Sequence, residues 1–281
     1  MSRRREVMAH RSQLLEIREI MNSMKNLAYF ETRKLARYIT SQQQVVAHIE
    51  TTAGDLLQHH PELKPETGLG QHVLLLLGSE RGFCGDFNSV ILSTMEAQLG
   101  TVDTDAPLLI VVGNKLQQRL EDDSRVTASL AGANVAEEIG PVLNRVIETL
   151  VDLQARYPGL RLQVLYQDPI SRRVMNKTIL PPFVDLTITK DVDTGPPLIY
   201  LPAPELLHEL IEHYLFAVLY GINYAALMAE NQARIEHLEN AIRRLDEKTA
   251  ELSRKTNAMR QEEIIEEIEV ILLNATPAIR R

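Results

Sequence analysis

The side chains best equipped for chemistry crowd into one stretch, Gly78-Ser-Glu-Arg-Gly-Phe-Cys-Gly-Asp-Phe-Asn88. It follows the apolar run Val73–Leu77 and opens a helical pattern from about Phe87 to Leu99. The junction of a strand and a helix is where α/β proteins hold phosphates and dinucleotides. The spacing does not fit that chemistry. There is no Gly-x-x-x-x-Gly-Lys-Ser/Thr, and the gaps between Gly78, Gly82 and Gly85 are three and two residues where a dinucleotide fingerprint has one and two. As a nucleophile elbow, Gly82-Phe-Cys84-Gly-Asp86 carries Asp where the second glycine belongs. A reactive Cys84 also needs a base, and the surrounding region offers only His72. The stretch reads instead as a tight turn whose glycines permit close backbone approach, with Cys84 as a small buried hydrophobe.

The other chemically able residues scatter. His59-His60 falls at a helix end, and His208 and His213 are five apart, which places them poorly on one helical face for a metal. Glu262, Glu263, Glu266, Glu267 and Glu269 read as a solvated helix face. No catalytic, cofactor-binding or metal-ligating residue is assigned. Arg3, Arg4, Arg5 and Arg11, with Arg33, Lys34 and Arg37, make the first helix locally positive in a chain of net charge −8, which suits an acidic partner surface. That overall charge argues against wholesale nucleic-acid binding. A single cysteine allows neither an intrachain disulfide nor a cysteine metal cage. No apolar segment follows Met1-Ser-Arg-Arg-Arg-Glu, so no secretory signal is read. The richest apolar run, Leu206–Met228, contains Glu209, Glu212 and two histidines, so no membrane insertion is expected and any membrane association goes through a partner.

Two long helices must position these residues. From Ile235 the series Ile235, Leu238, Ile242, Leu245, Thr249, Leu252, Thr256, Met259 alternates steps of three and four, the apolar seam of a coiled coil. With the apolar run that starts near Pro204, this predicts about 70 helical residues, roughly 105 Å long. A 281-residue globule has a radius of gyration of only about 19 Å, so such a helix is expected to project from it. The N-terminal segment, Arg5 to about His59, supplies the partner, roughly 75 Å long. Its seven-residue frame picks out Leu14, Ile17, Met21, Met24, Ala28, Glu31, Leu35, Tyr38, Gln42, Val45, Ile49, Thr52 and Leu56. Pro61, Pro65, Gly68 and Gly70 end it.

Between the helices, Val73–Leu77, Pro107–Val112, Val126–Leu130, Arg161–Gln167 and Val174–Leu180 read as strands. Helical patterns fall at Phe87–Leu99, Asn114–Glu121 and Val135–Ala155, with Pro141 tolerable in a first turn. Gly195-Pro196-Pro197 punctuates the exit. The expected fold is therefore a long antiparallel coiled coil of N- and C-terminal helices (1–60 and 204–275) plus a Rossmann-like α/β globular domain with a largely parallel sheet (70–200).

Three stretches together resemble the gamma subunit of F-type rotary ATP synthases. Ser79-Glu-Arg-Gly-Phe-Cys-Gly-Asp-Phe-Asn88 is similar to the family's Ser-Asp-Arg-Gly-Leu-Cys-Gly-x-Phe/Leu-Asn turn, the most specific match. Ile20-Met-Asn-Ser-Met24, with Leu27-Ala28 and Arg33-Lys34, resembles its opening helix. Glu230-Asn-Gln-Ala-Arg234 and Asn257-Ala-Met-Arg-Gln261 resemble its Glu-His-Ala-Ala-Arg and Asn-Lys-Ala-Arg-Gln. The terminal signature departs from the pattern at Ile265, Val270 and Asn274, which suggests a divergent branch. The resemblance implies a non-catalytic rotor shaft, turned by proton or sodium flow through a membrane c-ring, inside a hexamer of alpha and beta subunits. It further implies contact with an epsilon-type subunit and a peripheral position on the cytoplasmic face of a bacterial or archaeal inner membrane. It assigns Met24, Arg260 and Gln261 to beta-subunit contact, and Ser79, Arg81, Gly82, Cys84, Gly85 and Asn88 to a turn in the globular foot. The residues alone also allow a coiled-coil scaffold or adaptor with an inert α/β head, which would assemble through its coil with copies of itself.

Overall fold

The computed structural model describes residues 3–65, 70–99, 106–157, 159–184, 186 and 198–275; Gly68 and Gly195-Pro196-Pro197, expected to mark domain exits, lie outside them. The elements run α1 (Arg3–His59), β1 (Gln71–Leu77), α2 (Phe87–Leu99), β2 (Leu108–Val112), α3 (Asn114–Gln117), β3 (Val126–Leu130), α4 (Ile139–Arg156), β4 (Leu160–Gln167), β5 (Val174–Leu180) and α5 (Ala203–Ala275). All the expected elements are present. α3 is shorter than the pattern to Glu121, because Arg119 and Leu120 bond back three residues, to Leu116 and Gln117, and tighten the helix into a turn. Pro141 sits third in α4, where its missing N–H costs nothing.

The contacts divide the chain into two compact units, Met1–Leu27 with Ile235–Arg281 and Ala28–Arg234, so α1 and α5 each contribute to both. In the first unit the two helices pair antiparallel. Arg4 meets Glu263 at 2.8 Å, Arg18 meets Asp246 at 2.6 Å and Lys25 meets Glu239 at 3.7 Å, with numbers falling on one helix as they rise on the other. These pairs are partly exposed and each contributes little. The seam supplies most of the stabilisation. Ile235, Leu238, Ile242, Thr249 and Leu252 are buried, with Leu245, Thr256 and Met259 half-buried. The seam threonines satisfy their hydroxyls on their own helix, Thr249 on the Asp246 carbonyl at 3.0 Å and Thr256 on that of Leu252 at 2.8 Å.

The second unit holds the five-stranded sheet in the order β3-β2-β1-β4-β5, parallel except for the β4–β5 hairpin. β1 from Val73 on and β2 are unbroken apolar runs because helices cover both of their faces. Val73, Leu75, Leu77, Ile110 and Val112 face α4, the end of α1 and the first turns of α5. Leu74, Leu76, Leu109 and Val111 face α2, α3 and Ala229 of α5. One window of α5 reaches a mean hydropathy of 1.2, enough for a membrane span by length and composition, and half of it is buried in the structure, as in a core helix.

The N-terminal seven-residue frame needs a correction. Ile17, Tyr38, Val45 and Thr52 are exposed, while beyond Leu35 the covered positions include Ile39, Gln42, Val46, Ile49, Ala53, Leu56 and Leu57. From Leu35 the series Ile39, Gln42, Val46, Ile49, Ala53, Leu56 steps by four and three, so the seven-residue repeat holds; the second covered position of each heptad lies one residue later than expected, as at Arg18 in place of Ile17. In the second unit Val46, Ile49, Ala53 and Leu56 join the core formed with the sheet, α4 and α5. Tyr38 still finds a neighbour, stacking on Tyr224 with ring centroids 5.1 Å apart.

Leu238 is fully buried (0% exposed), so Leu238→Ala should cost about 2–5 kcal/mol. Leu252→Asp should cost roughly 2 kcal/mol or more by burying an unpaired carboxylate, and half-buried Leu245→Asp less. Melting temperature and far-UV helicity report both; a purified chain unmoved by all three substitutions contradicts the seam.

Candidate functional site

The stretch after β1 sits at the C-terminal edge of the sheet. The strand order reverses direction here, with β2 on one side of β1 and β4 on the other, the crevice where doubly wound proteins take ligands. Close approach dictates its first residue. The Gly78 amide donates to the Val112 carbonyl at 2.9 Å, and a Cβ there would lie 2.3 Å from the Leu116 Cβ. Gly113 crosses directly beside it at φ +106, where a Cβ would lie 2.6 Å from the Gly78 oxygen.

Two buried side chains close the turn. The Ser79 amide donates to Asn88 Oδ1 at 2.9 Å, and Asn88 Nδ2 donates to Ser79 Oγ at 2.8 Å. Between them the backbone enters the left-handed region at Phe83 (φ 64) and Gly85 (φ 61), which turns the Phe83 ring outward and Cys84 inward. The Cys84 thiol lies 3.4 Å from the carbonyls of both Arg81 and Gly82.

What fills the crevice is α5. Its Leu219, Ile222 and Ala226 pack in the core on one face of the sheet and its Ala229 and Ala233 in the core on the other. The helix therefore passes over the strand ends, and there it carries buried Glu230, Asn231 and Arg234. The Glu230 carboxylate accepts the consecutive amides of Glu80 (3.1 Å) and Arg81 (3.3 Å). This is the position a phosphate would take at such a turn. Arg234 pairs with Glu230 and donates to Asn231 Oδ1 at 2.7 Å, to the Gly82 carbonyl at 3.3 Å and toward Cys84 Sγ at 3.3 Å. Burial pushes the Glu230 carboxyl up, while Arg234 and the two amides pull it back. Burial likewise pushes the Cys84 thiol up to about 12, against the pull of Arg234.

That environment disposes of the nucleophile reading, because the thiolate is the reactive form. His72 gives no help. It lies near the opposite end of β1, about 17 Å away along the strand to Leu77 at ordinary rise. Its Nε2 is paired with Gln163 Oε1 at 2.8 Å, and burial lowers its pKa. A cleft beside the turn is lined by Glu80, Asn114, Lys115, Glu121 and Asp123, and three carboxylates suit it poorly to a phosphate.

Of the residues singled out in the sequence, Ser79, Cys84 and Asn88 are buried supports of the turn. Arg81 and Gly85 are exposed, with Arg81 Nε donating to Asn134 Oδ1 at 2.6 Å, and Gly82 offers its carbonyl to Arg234. Met24 is half-buried on α1, while Arg260 and Gln261 are exposed on α5; all three belong to the first unit and the turn to the second. Sequence reasoning gave Glu230, Asn231 and Arg234 no site role. The signal was available: polar residues at i, i+1, i+2 and i+4 from Glu230 interrupt an apolar helix just before its seam begins.

The ATP synthase family model matches residues 4–276. An ATP synthase gamma chain of Ruminiclostridium cellulolyticum is 23% identical over 292 aligned positions, covering 97% of both chains. One of Bdellovibrio bacteriovorus is 26% identical over 281, covering 92% of both. Among solved structures, the central stalk/c-ring part of the Tetrahymena thermophila mitochondrial ATP synthase contains a chain that aligns with a TM-score of 0.53 at 18% identity, over 79% of this chain and 99% of that one. At that identity the likeness speaks for the fold.

Gly78→Ala should destabilise by about 3 kcal/mol or more, since Leu116 meets the new methyl with its own Cβ. The Cys84 thiol should resist alkylation in the native chain at pH 8 and react fully in denaturant, because a pKa near 12 leaves almost no thiolate. Rapid native labelling would contradict the buried thiol.

Proposed function

We propose that this chain, which belongs to the ATP synthase family, is the central rotor shaft of an F-type enzyme, linking rotation of an ion-driven membrane ring to the conformational cycle of the catalytic beta subunits. Membership rests on the family match over residues 4–276. The gamma subunit is the non-catalytic rotor of the complex, and ATP chemistry takes place on other chains. One observation carries the shaft reading: the seam Ile235–Met259 lies opposite the chain's own N-terminal helix, with antiparallel ion pairs from Arg4 to Lys25. A scaffold that assembles through its coil with copies of itself needs that seam unfilled. Here it is filled from within.

The partners follow from the family. Alpha and beta subunits form the hexamer around the shaft, an epsilon-type subunit and the c-ring meet the α/β domain, and the whole sits peripherally on the cytoplasmic face of a bacterial or archaeal inner membrane. A rotor must slide past three equivalent positions, which calls for modest, repeated contacts instead of deep anchors. The charge-rich outer surface of α5 meets that requirement. Exposed Arg260 and Gln261 are placed to touch a beta loop, since a guanidinium can hold a carboxylate or several carbonyls in one geometry. Met24, half-buried on the paired helix, divides its surface between the seam and such a contact. The turn residues Ser79, Arg81, Gly82, Cys84, Gly85 and Asn88 act in the foot by fixing its shape.

Two measurements test the reading. Expressed with its operon, the chain should co-purify with a hexamer of ATPase subunits; saturable tight nucleotide binding by the isolated chain would restore an enzymatic role. Within the intact complex, Arg260→Ala should slow hydrolysis or weaken coupling by an amount on the order of 1–3 kcal/mol, and Arg260→Glu by more, without preventing assembly. Torque and turnover equal to wild type for both variants would remove Arg260 from the contact.

A further inference from the structure

We infer that Glu230 and Arg234 are coupling residues, which lock the turn at 79–84 onto α5 and through it tie the sheet's C-terminal edge to both long helices, so that torque passes between the α/β domain and the shaft. This rests on the rotor reading above.

The lock is built on main chain. Glu230 takes two consecutive amides and Arg234 holds the next carbonyl, so the turn cannot yield by changing a rotamer. From the turn the polar contacts continue outward. The Glu80 carboxylate accepts the amides of Asn114 at 3.0 Å and Gly132 at 2.7 Å, binding the chain that follows β2 and β3. Arg81 holds Asn134, whose amide donates to Glu138 Oε2 at 2.7 Å. The same short segment reaches α1, where the Ala136 amide donates to Glu31 Oε2 at 3.3 Å and Glu137 pairs with Lys34. An unbroken polar path thus runs from α5 over the ends of β1, β2 and β3 to α1, all within the second unit.

Two physical arguments turn this path into a coupling device. Apolar packing holds the sheet and helices together but is non-directional, so it opposes relative rotation less than charge-assisted bonds of fixed geometry do. A buried ion pair is also a poor choice for stability alone, since apolar residues of similar size commonly do as well or better. Its retention where α5 crosses the strand ends fits a demand for fixed orientation. Arg234 is the last residue of its unit, and the seam begins at Ile235.

The test uses the complete enzyme in lipid vesicles with this chain as its shaft. ATP hydrolysis, ATP-driven proton and sodium uptake, and the melting temperature of the complex are measured for Glu230→Gln, Arg234→Lys and the swap Glu230→Arg/Arg234→Glu. Ion uptake per ATP hydrolysed should fall about threefold or more in Glu230→Gln, which removes the acceptor of one of the two amides and abolishes the ion pair, and by less in Arg234→Lys, which keeps the charge and loses the fork. The swap keeps the pair but removes the acceptor of the two amides, so it should uncouple at least as strongly as Glu230→Gln. A swap with wild-type coupling overturns the inference, as does a uniform loss of stability and of both rates at an unchanged ratio. If the swap does not fold, the two single variants decide. Failure of the wild-type chain to assemble with the hexamer would instead sink the rotor reading itself.

Discussion

A carboxylate lodged against the end of a buried strand organises the second unit. β1 is apolar on both faces, and the backbone that leaves it has two consecutive amides pointing out of the sheet edge. Such amides need an acceptor, and in many α/β proteins a phosphate supplies it. Here Glu230 does, from a helix that is part of the same chain. The crevice is thereby closed to a ligand, and the turn is bound to α5. Burial makes that carboxylate costly, and Arg234 with the two amides offsets the cost.

α5 meets three different demands along one continuous helix. Its first half supplies core to one face of the sheet, through Leu207, Tyr214, Val218 and Leu219. Glu230, Asn231 and Arg234 then make polar contacts at the strand ends. From Ile235 onward it presents a narrow seam, in which two threonines close their hydroxyls on the helix itself. The changes in composition follow the changes in what each segment packs against, without a break in the helical backbone.

The same arrangement gives the residues that look reactive a structural task. Cys84 lies among carbonyls and the Arg234 guanidinium in a buried pocket, and desolvation outweighs the nearby positive charge. Ser79 and Asn88 spend their polar atoms on each other and on the backbone. The glycines serve close approach, most plainly at Gly78 and Gly113, where two chain segments cross.

The sequence by itself determined the elements and the seam. Alternating apolar steps of three and four marked Ile235–Met259, and unbroken apolar runs marked β1 and β2, because these periods follow from local geometry that any tertiary context must respect. The turn was legible as a turn for the same reason, from its glycines. The seam of α1 beyond Leu35 was placed one residue early at Tyr38, Val45 and Thr52, because Tyr38 and Val45 fit an apolar repeat as well as Ile39 and Val46 beside them, and only packing decides which of two adjacent side chains is covered. The site's centre was hidden more completely. The polar break at Glu230 was legible in an apolar helix, but its partner Glu80 lies 150 residues away in the chain, and nothing local names it. Only the passage of α5 over the strand ends brings its carboxylate to the amides of Glu80 and Arg81, and that is a decision of the tertiary structure.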